Sequence, residues 1–201
     1  FVNSGSSAIL LSLYALLDGD YLKNKKVVAP SLSWATDVST IFQLGLEPIL
    51  CDCNLTDLSV DLEHLEYIFK KENPSAFILV SVLGLVPEMD KIQNLCDKYQ
   101  VILIEDVAES MGSRFNYKNL GTFGFASIFS LYYGHHLSTM EGGLISTDDF
   151  KFYELLLALR SHGWDRDLST DTQDKLRKEW NVSEFDSLYT FYYPGFNLRP
   201  T

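Results

Sequence analysis

The chain has 201 residues, 46% hydrophobic and 13% aromatic, enough to bury a substantial core in one domain or at most two. Its 16 Lys and Arg stand against 27 Asp and Glu, and the formal charge of −11 argues against a polyanion groove, so no nucleic-acid partner is expected. No apolar run approaches the roughly 18 to 20 residues a bilayer requires, so no membrane partner is expected either.

Three cysteines, an odd number in a chain without an apolar signal segment, fit a reducing cytoplasmic setting. Short apolar runs alternate with amphipathic stretches, and no repeat or low-complexity tract interrupts them. That is the α/β pattern of a single domain over residues 1–201. Phe1-Val2-Asn3 reads as the inside of a strand, and the stretch Asn197 to Thr201 carries no helix or polar tail. The expectation is a large domain, with an N-terminal segment and a C-terminal small domain lying outside it.

In chain order, Asn3-Ser4-Gly5-Ser6-Ser7-Ala8 precedes an apolar helix expected over Ser6 to Leu17. Free N–H groups and hydroxyls at such a start would face an anion, and Ser and Gly are equally the residues of a plain helix cap. A strand is expected at Val27-Val28-Ala29, then a helix over Trp34 to Leu44. Trp34 suits stacking on a planar ring and equally suits a core. A strand at Pro48 to Cys51 runs into Cys51-Asp52-Cys53, which with Cys96 leaves only three thiols, one short of a four-thiolate site.

A helix over Leu62 to Lys71, a strand at Ala76 to Ser81 and a helix over Glu88 to Tyr99 follow. The strand Val101 to Asp106 is apolar until it ends in Glu105-Asp106, with Glu109-Ser110 in the next turn. Carboxylates at a strand end commonly cap the next helix; in a dry site an Asp also keeps a cationic heterocycle protonated. A further strand at Ala126 to Ser130 leads into Leu131-Tyr132-Tyr133-Gly134-His135-His136-Leu137-Ser138-Thr139-Met140-Glu141-Gly142-Gly143, a poor core segment. Neighbouring histidines on an extended chain point to opposite faces and no carboxylate stands at ligand spacing, so no metal site is expected. An imidazole in a polar loop at a strand end is suited to proton transfer near neutrality. The chain closes with a strand at Gly143 to Ser146, a helix over Phe150 to Ser161 and the charged, aromatic loop Arg160 to Asp167.

Taken together, in order and spacing, these segments resemble the sugar aminotransferase family (DegT/DnrJ/EryC1/StrS) of fold-type I pyridoxal-phosphate enzymes. The resemblance implies the three-layer fold of that family's large domain, with a mostly parallel central sheet and helices on both faces. It implies pyridoxal 5'-phosphate and pyridoxamine 5'-phosphate as cofactor, with Gly5, Ser6, Ser7 and Ser130 at the phosphate, Asp106 at the ring nitrogen and Trp34 stacked on the ring. Glu109 and His162 match positions near the reacting group, binding glutamate or the sugar. Asn197, in Gly195-Phe196-Asn197-Leu198-Arg199, matches a residue that reaches a partner subunit's phosphate, which implies a homodimer with shared active sites.

One departure stands out. Five residues after Ser130, where relatives carry the lysine that binds the cofactor, this chain has His135. Imidazole forms no imine with an aldehyde but exchanges protons well. Gly134-His135-His136 is similar to the subgroup that removes the C3 hydroxyl from nucleotide-linked 4-keto-6-deoxy sugars, GDP-4-keto-6-deoxymannose foremost. The implied activity is a 3-dehydratase of dideoxysugar and O-antigen biosynthesis, with His135 as the catalytic base, glutamate restoring the pyridoxamine form and ammonia released. A second branch with the same His holds an iron–sulfur cluster on four cysteines; Asp165-Arg166-Asp167 leads into Leu168-Ser169-Thr170 without any, so no cluster is expected. Two alternatives stand: an ordinary nucleotide-sugar aminotransferase, which His135 disfavours, and a silent homologue serving as a binding subunit, which Asp106 and Ser130 disfavour.

Overall fold

The computed structural model describes residues 1–200. Its seven α-helices and eight strands alternate up to β4 and then run as groups: α1 Gly5–Asp18, β1 Lys26–Pro30, α2 Ala35–Gln43, β2 Glu47–Cys51, α3 Leu62–Glu72, β3 Ala76–Val80, α4 Met89–Tyr99, β4 Ile102–Asp106, β5 Arg114–Phe115, β6 Lys118–Asn119, β7 Ala126–Ser130, β8 Gly143–Thr147, α5 Phe150–Leu159, α6 Thr170–Glu179 and α7 Glu184–Ser187. Six strands form one sheet in the order β2-β1-β3-β4-β7-β8, parallel except for the antiparallel β7–β8 pair.

Strand composition explains why helices cover both faces. In β3 all five residues of Ala76-Phe77-Ile78-Leu79-Val80 are buried, so neither side of the sheet tolerates water. Ala76, Ile78 and Val80 pack with Leu11 and Leu13 of α1, Ile41 of α2 and Phe152 of α5. Phe77 and Leu79, pointing the other way, pack with Leu65 and Phe69 of α3 and Ile92 of α4. This is the three-layer arrangement expected.

The first three residues depart from the expected strand. Val2 makes one antiparallel bridge with Gly143, and Asn3 turns away to hydrogen bond with Leu198. Three elements carried no sequence signal, the four-residue helix α7 among them. The β5–β6 hairpin turns through Asn116 and Tyr117, both at positive φ, without the glycine that marks such turns. Helix α6 has Leu176 as its one buried residue; it is held by Ser169 as cap and by a 2.9 Å ion pair from Arg177 to buried Asp165. An apolar period never arises there.

Glu105, almost fully buried in β4, faces away from the cavity described below and accepts the backbone N–H groups of Gly121, Phe123 and Gly124 at 2.6–2.7 Å. It ties the returning chain to the sheet. Glu105→Ala should lower unfolding stability by roughly 3 kcal/mol or more, because three donors lose one acceptor group. Glu105→Gln, which keeps an acceptor oxygen, should cost less; urea denaturation measures both.

Candidate active site

The carboxyl ends of β1, β3, β4 and β7 open on one cavity of about 680 Å3. Crevices of this kind collect ligands because helix starts and strand ends converge there. Its wall includes Gly5, Ser6, Trp34, Asp106, Glu109, Ser130 and His135. Seven of the residues singled out in the sequence thus come together from four separate stretches, 5–6, 34, 106–109 and 130–135.

One end of the cavity has the features that favour an anion. Ser4 caps α1 by accepting the Ser7 N–H, and no acidic residue occupies the first turn, so the positive end of the helix dipole is left without a counter-charge. Ser6 donates to Thr36 Oγ1 at 3.4 Å, and Ser130 closes the cup from β7. Gly5 permits that closeness: a Cβ there would lie 2.7 Å from the Ser130 Cβ. Gly143 plays the matching part behind the cup, where a Cβ would fall 2.2 Å from the Ser4 carbonyl oxygen. Ser7 is turned to the helix cap, its hydroxyl accepting from Ser4, and does not line the cavity.

At the other end Asp106, 5% exposed, closes β4. Its Oδ1 accepts the Ala108 N–H at 2.9 Å. Burial holds its carboxyl above the ordinary carboxylate range, and the nearby Glu109 charge adds to this, while the Ala108 bond and His135 pull the other way. A cation seated in the cavity would pull it down further. Glu109 Oε2 accepts the Leu83 N–H at 2.6 Å, tying the turn after β3 to the turn after β4. Leu83 sits in the left-handed region at φ 55°, so this bond holds a strained turn over the cavity mouth.

Trp34 is the N-cap of α2 and 71% exposed, its indole free to cover a planar group entering the cavity. The His135 N–H donates to the Tyr132 carbonyl at 3.0 Å, and its ring meets the Tyr132 ring edge-on, centroids 5.9 Å apart. His136 is exposed and is not part of the wall.

His162 and Asn197 lie outside the cavity. They sit together instead: Ser161 and Asn197 form a bridge, the His162 N–H donates to the Phe196 carbonyl at 2.7 Å, and the His162 ring packs against Trp164 and Phe191. Sequence reasoning missed Thr36 on the wall, and it singled out the stretch that holds Tyr132 and Glu141 without giving either a role. It also missed Asp37, fully buried beneath Trp34. Asp at the third position of a helix is a common capping residue, so nothing in the local pattern separates it from that role.

Residues 1–199 match the sequence profile of the DegT/DnrJ/EryC1/StrS aminotransferase family. The chain belongs to that family. It is 37% identical over 202 residues to GDP-4-keto-6-deoxy-D-mannose 3-dehydratase of Escherichia coli O55:H7, covering 99% of this chain and 51% of that protein. Among solved structures of the family, E. coli GDP-4-keto-6-deoxy-D-mannose-3-dehydratase with bound hydrated PLP superposes with a TM-score of 0.86 at 36% identity, over 99% of this chain and 51% of that one. A GDP-4-keto-6-deoxymannose-3-dehydratase with a trapped PLP-glutamate geminal diamine matches equally, at TM-score 0.86, 36% identity and coverage of 99% and 52%. The chain therefore spans about half the length of the relatives it matches.

The anion cup yields a direct expectation. Gly5→Ala should push Ser130 out of the cup and weaken phosphate-monoester binding by roughly ten- to a hundredfold, the worth of one or two charge-assisted hydrogen bonds. Calorimetric titration of the full-length protein, with far-UV circular dichroism to verify folding, checks it.

Proposed function

We propose that residues 1–201 form the cofactor-binding large domain of a pyridoxal/pyridoxamine-phosphate-dependent 3-dehydratase. Its substrate is a nucleotide-linked 4-keto-6-deoxy sugar, GDP-4-keto-6-deoxymannose, and glutamate restores the amine form of the cofactor. One observation carries the reading: His135 lines the cavity, and none of the described residues on its wall is a lysine. The named dehydratases that share over a third of this sequence support the same choice.

The residues present fit the cofactor. The α1 start with Gly5, Ser6 and Ser130 would hold its phosphate, Trp34 would cover one ring face, and buried Asp106 would meet the ring nitrogen. Val80, Val82 and Ile128 supply an apolar wall that a planar ring needs. When bound, the cofactor supplies an amine for the sugar C4 ketone and a ring that accepts electrons as the C3 hydroxyl departs.

Around it, each side chain has its own task. The Asp106 carboxylate keeps a proton on the facing nitrogen by favouring the cation in a dry site. His135 accepts and returns a proton at an imidazole nitrogen, which works near neutrality without any covalent bond to the cofactor. Glu109, through Leu83, holds the turn that narrows the mouth and limits water. His162 and Asn197, outside the cavity of their own chain, are read as contributions to sugar or glutamate binding and to the phosphate of a partner subunit in a homodimer.

The covalent arrangement separates this reading from an aminotransferase. Borohydride should leave wild-type protein unlabelled and its cofactor dialysable, whereas in His135→Lys it should fix the cofactor to residue 135, because only an amine makes the reducible bond. Dehydration should fall sharply, since an amine of pKa about 10.4 is mismatched to a task suited to one of about 6.5. Wild-type dehydration in the variant, or labelling of another lysine in wild type, would remove His135 as the base.

Shared sites predict complementation. Inactive Asn197→Asp and His135→Asn proteins, mixed and reassociated, should regain about a quarter of wild-type activity, because half the dimers are hybrids and each hybrid restores one intact site of two. If each site were built from one chain, the mixture would stay inactive.

A further inference from the structure

Asp37 is buried completely, at the third position of α2 and beneath the Trp34 edge of the cavity. Its Oδ2 accepts the Trp34 backbone N–H at 3.1 Å. Its Oδ1, equally buried, meets no hydrogen-bond donor among the described residues. What lies within hydrogen-bonding reach of the Asp37 carboxyl is a second carboxyl, that of Asp106. Ionised carboxylates only accept, so this contact forms a bond only if one partner carries a proton.

The surroundings decide which one. Around Asp37 the charged neighbours are Asp106, from the end of β4, and Glu109, from the turn after it; both are acidic. Asp106 has the Ala108 N–H on one oxygen and the His135 imidazole nearby, which favour its charged form. Burial, with those two acidic neighbours, pushes the Asp37 carboxyl up to about 9. Two like charges this close and this dry do not coexist, and the proton rests on Asp37.

We infer that Asp37 is a positioning residue: as the neutral acid it donates from Oδ1 to the Asp106 carboxylate and holds that carboxylate aimed into the cavity. The pair then carries a single negative charge, matching a single cationic ring nitrogen. This inference rests on the cofactor reading above for its purpose, though the hydrogen bond itself exists without cofactor.

The test uses full-length protein, first stripped of cofactor. Infrared difference spectra at neutral pH should show the carbonyl stretch of a protonated, hydrogen-bonded carboxyl that shifts in D2O and vanishes in Asp37→Asn. Persistence of the band in Asp37→Asn, or its absence from wild type, overturns the inference.

Thermal unfolding gives a second reading. An unfolded Asp loses its proton near pH 4, whereas folded Asp37 keeps it until about 9, so native stability should fall as pH rises through that window. Asp37→Asn should flatten the fall, and an unchanged slope counts against the proton.

With pyridoxamine phosphate added, the pH at which the bound ring loses its proton, followed by absorbance, should drop by about one unit or more in Asp37→Val and stay close to wild type in Asp37→Asn, whose amide still donates. Equal values in the two variants defeat the positioning role. Should Asp37→Val fail to fold, the infrared comparison of wild type with Asp37→Asn still decides. Failure of wild-type protein to bind the cofactor would sink the functional reading and leave the carboxyl band standing.

Discussion

The parallel pairing of β2, β1, β3, β4 and β7 governs everything else in this molecule. Parallel neighbours cannot be joined by tight turns, so each return must cross a face of the sheet, and right-handed crossovers deliver every strand's carboxyl end to the same edge. Ser81, Asp106 and Leu131 thus start their loops side by side although about 25 residues separate each from the next. The cavity is a consequence of that pairing. The single antiparallel strand β8 breaks the pattern beside β7, and its Gly143 carries the chain against the start of α1, setting the anion cup on the same edge.

Electrostatically the site is arranged as two ends of opposite preference. The α1 start offers unpaired N–H groups and no acid in its first turn, favouring a phosphate. About the other end cluster Asp37, Asp106 and Glu109, with the His135 imidazole close enough to act on Asp106. A ligand carrying an anion on one side and a cationic nitrogen on the other would satisfy both ends at once. An acidic cluster that is dry and lacks Lys or Arg is unstable by itself, which is why the protein keeps one proton there and why a cation is welcome.

The chain's ordinary binding groups also explain the mouth of the cavity. Leu83 and Trp34 are large apolar residues left in water at the rim, and the segment between Tyr132 and Glu141 is mostly exposed. Exposure at a rim is where a ligand or partner surface gains most by covering it. Trp180, Phe185, Tyr189 and Phe191 remain exposed as well, and the Phe191 ring packs against His162.

The amino-acid sequence by itself determined the alternation of strands and helices, because period-2 and period-3.6 burial write themselves into local composition. It also determined the chemistry on offer, since a His five residues after Ser130 is a covalent fact. It did not reveal α6, whose single buried Leu leaves no period, nor the β5–β6 hairpin, whose Asn-Tyr turn carries no glycine. It suggested a strand at Phe1 to Asn3 where only Val2 pairs. Which polar residues meet was decided by tertiary structure alone. Ser7 faces its own helix cap, His162 and Asn197 lie on two paired segments outside the cavity wall, and Asp37 reaches Asp106 across 69 positions, because burial and proximity are properties of packed layers and have no signature in any single segment.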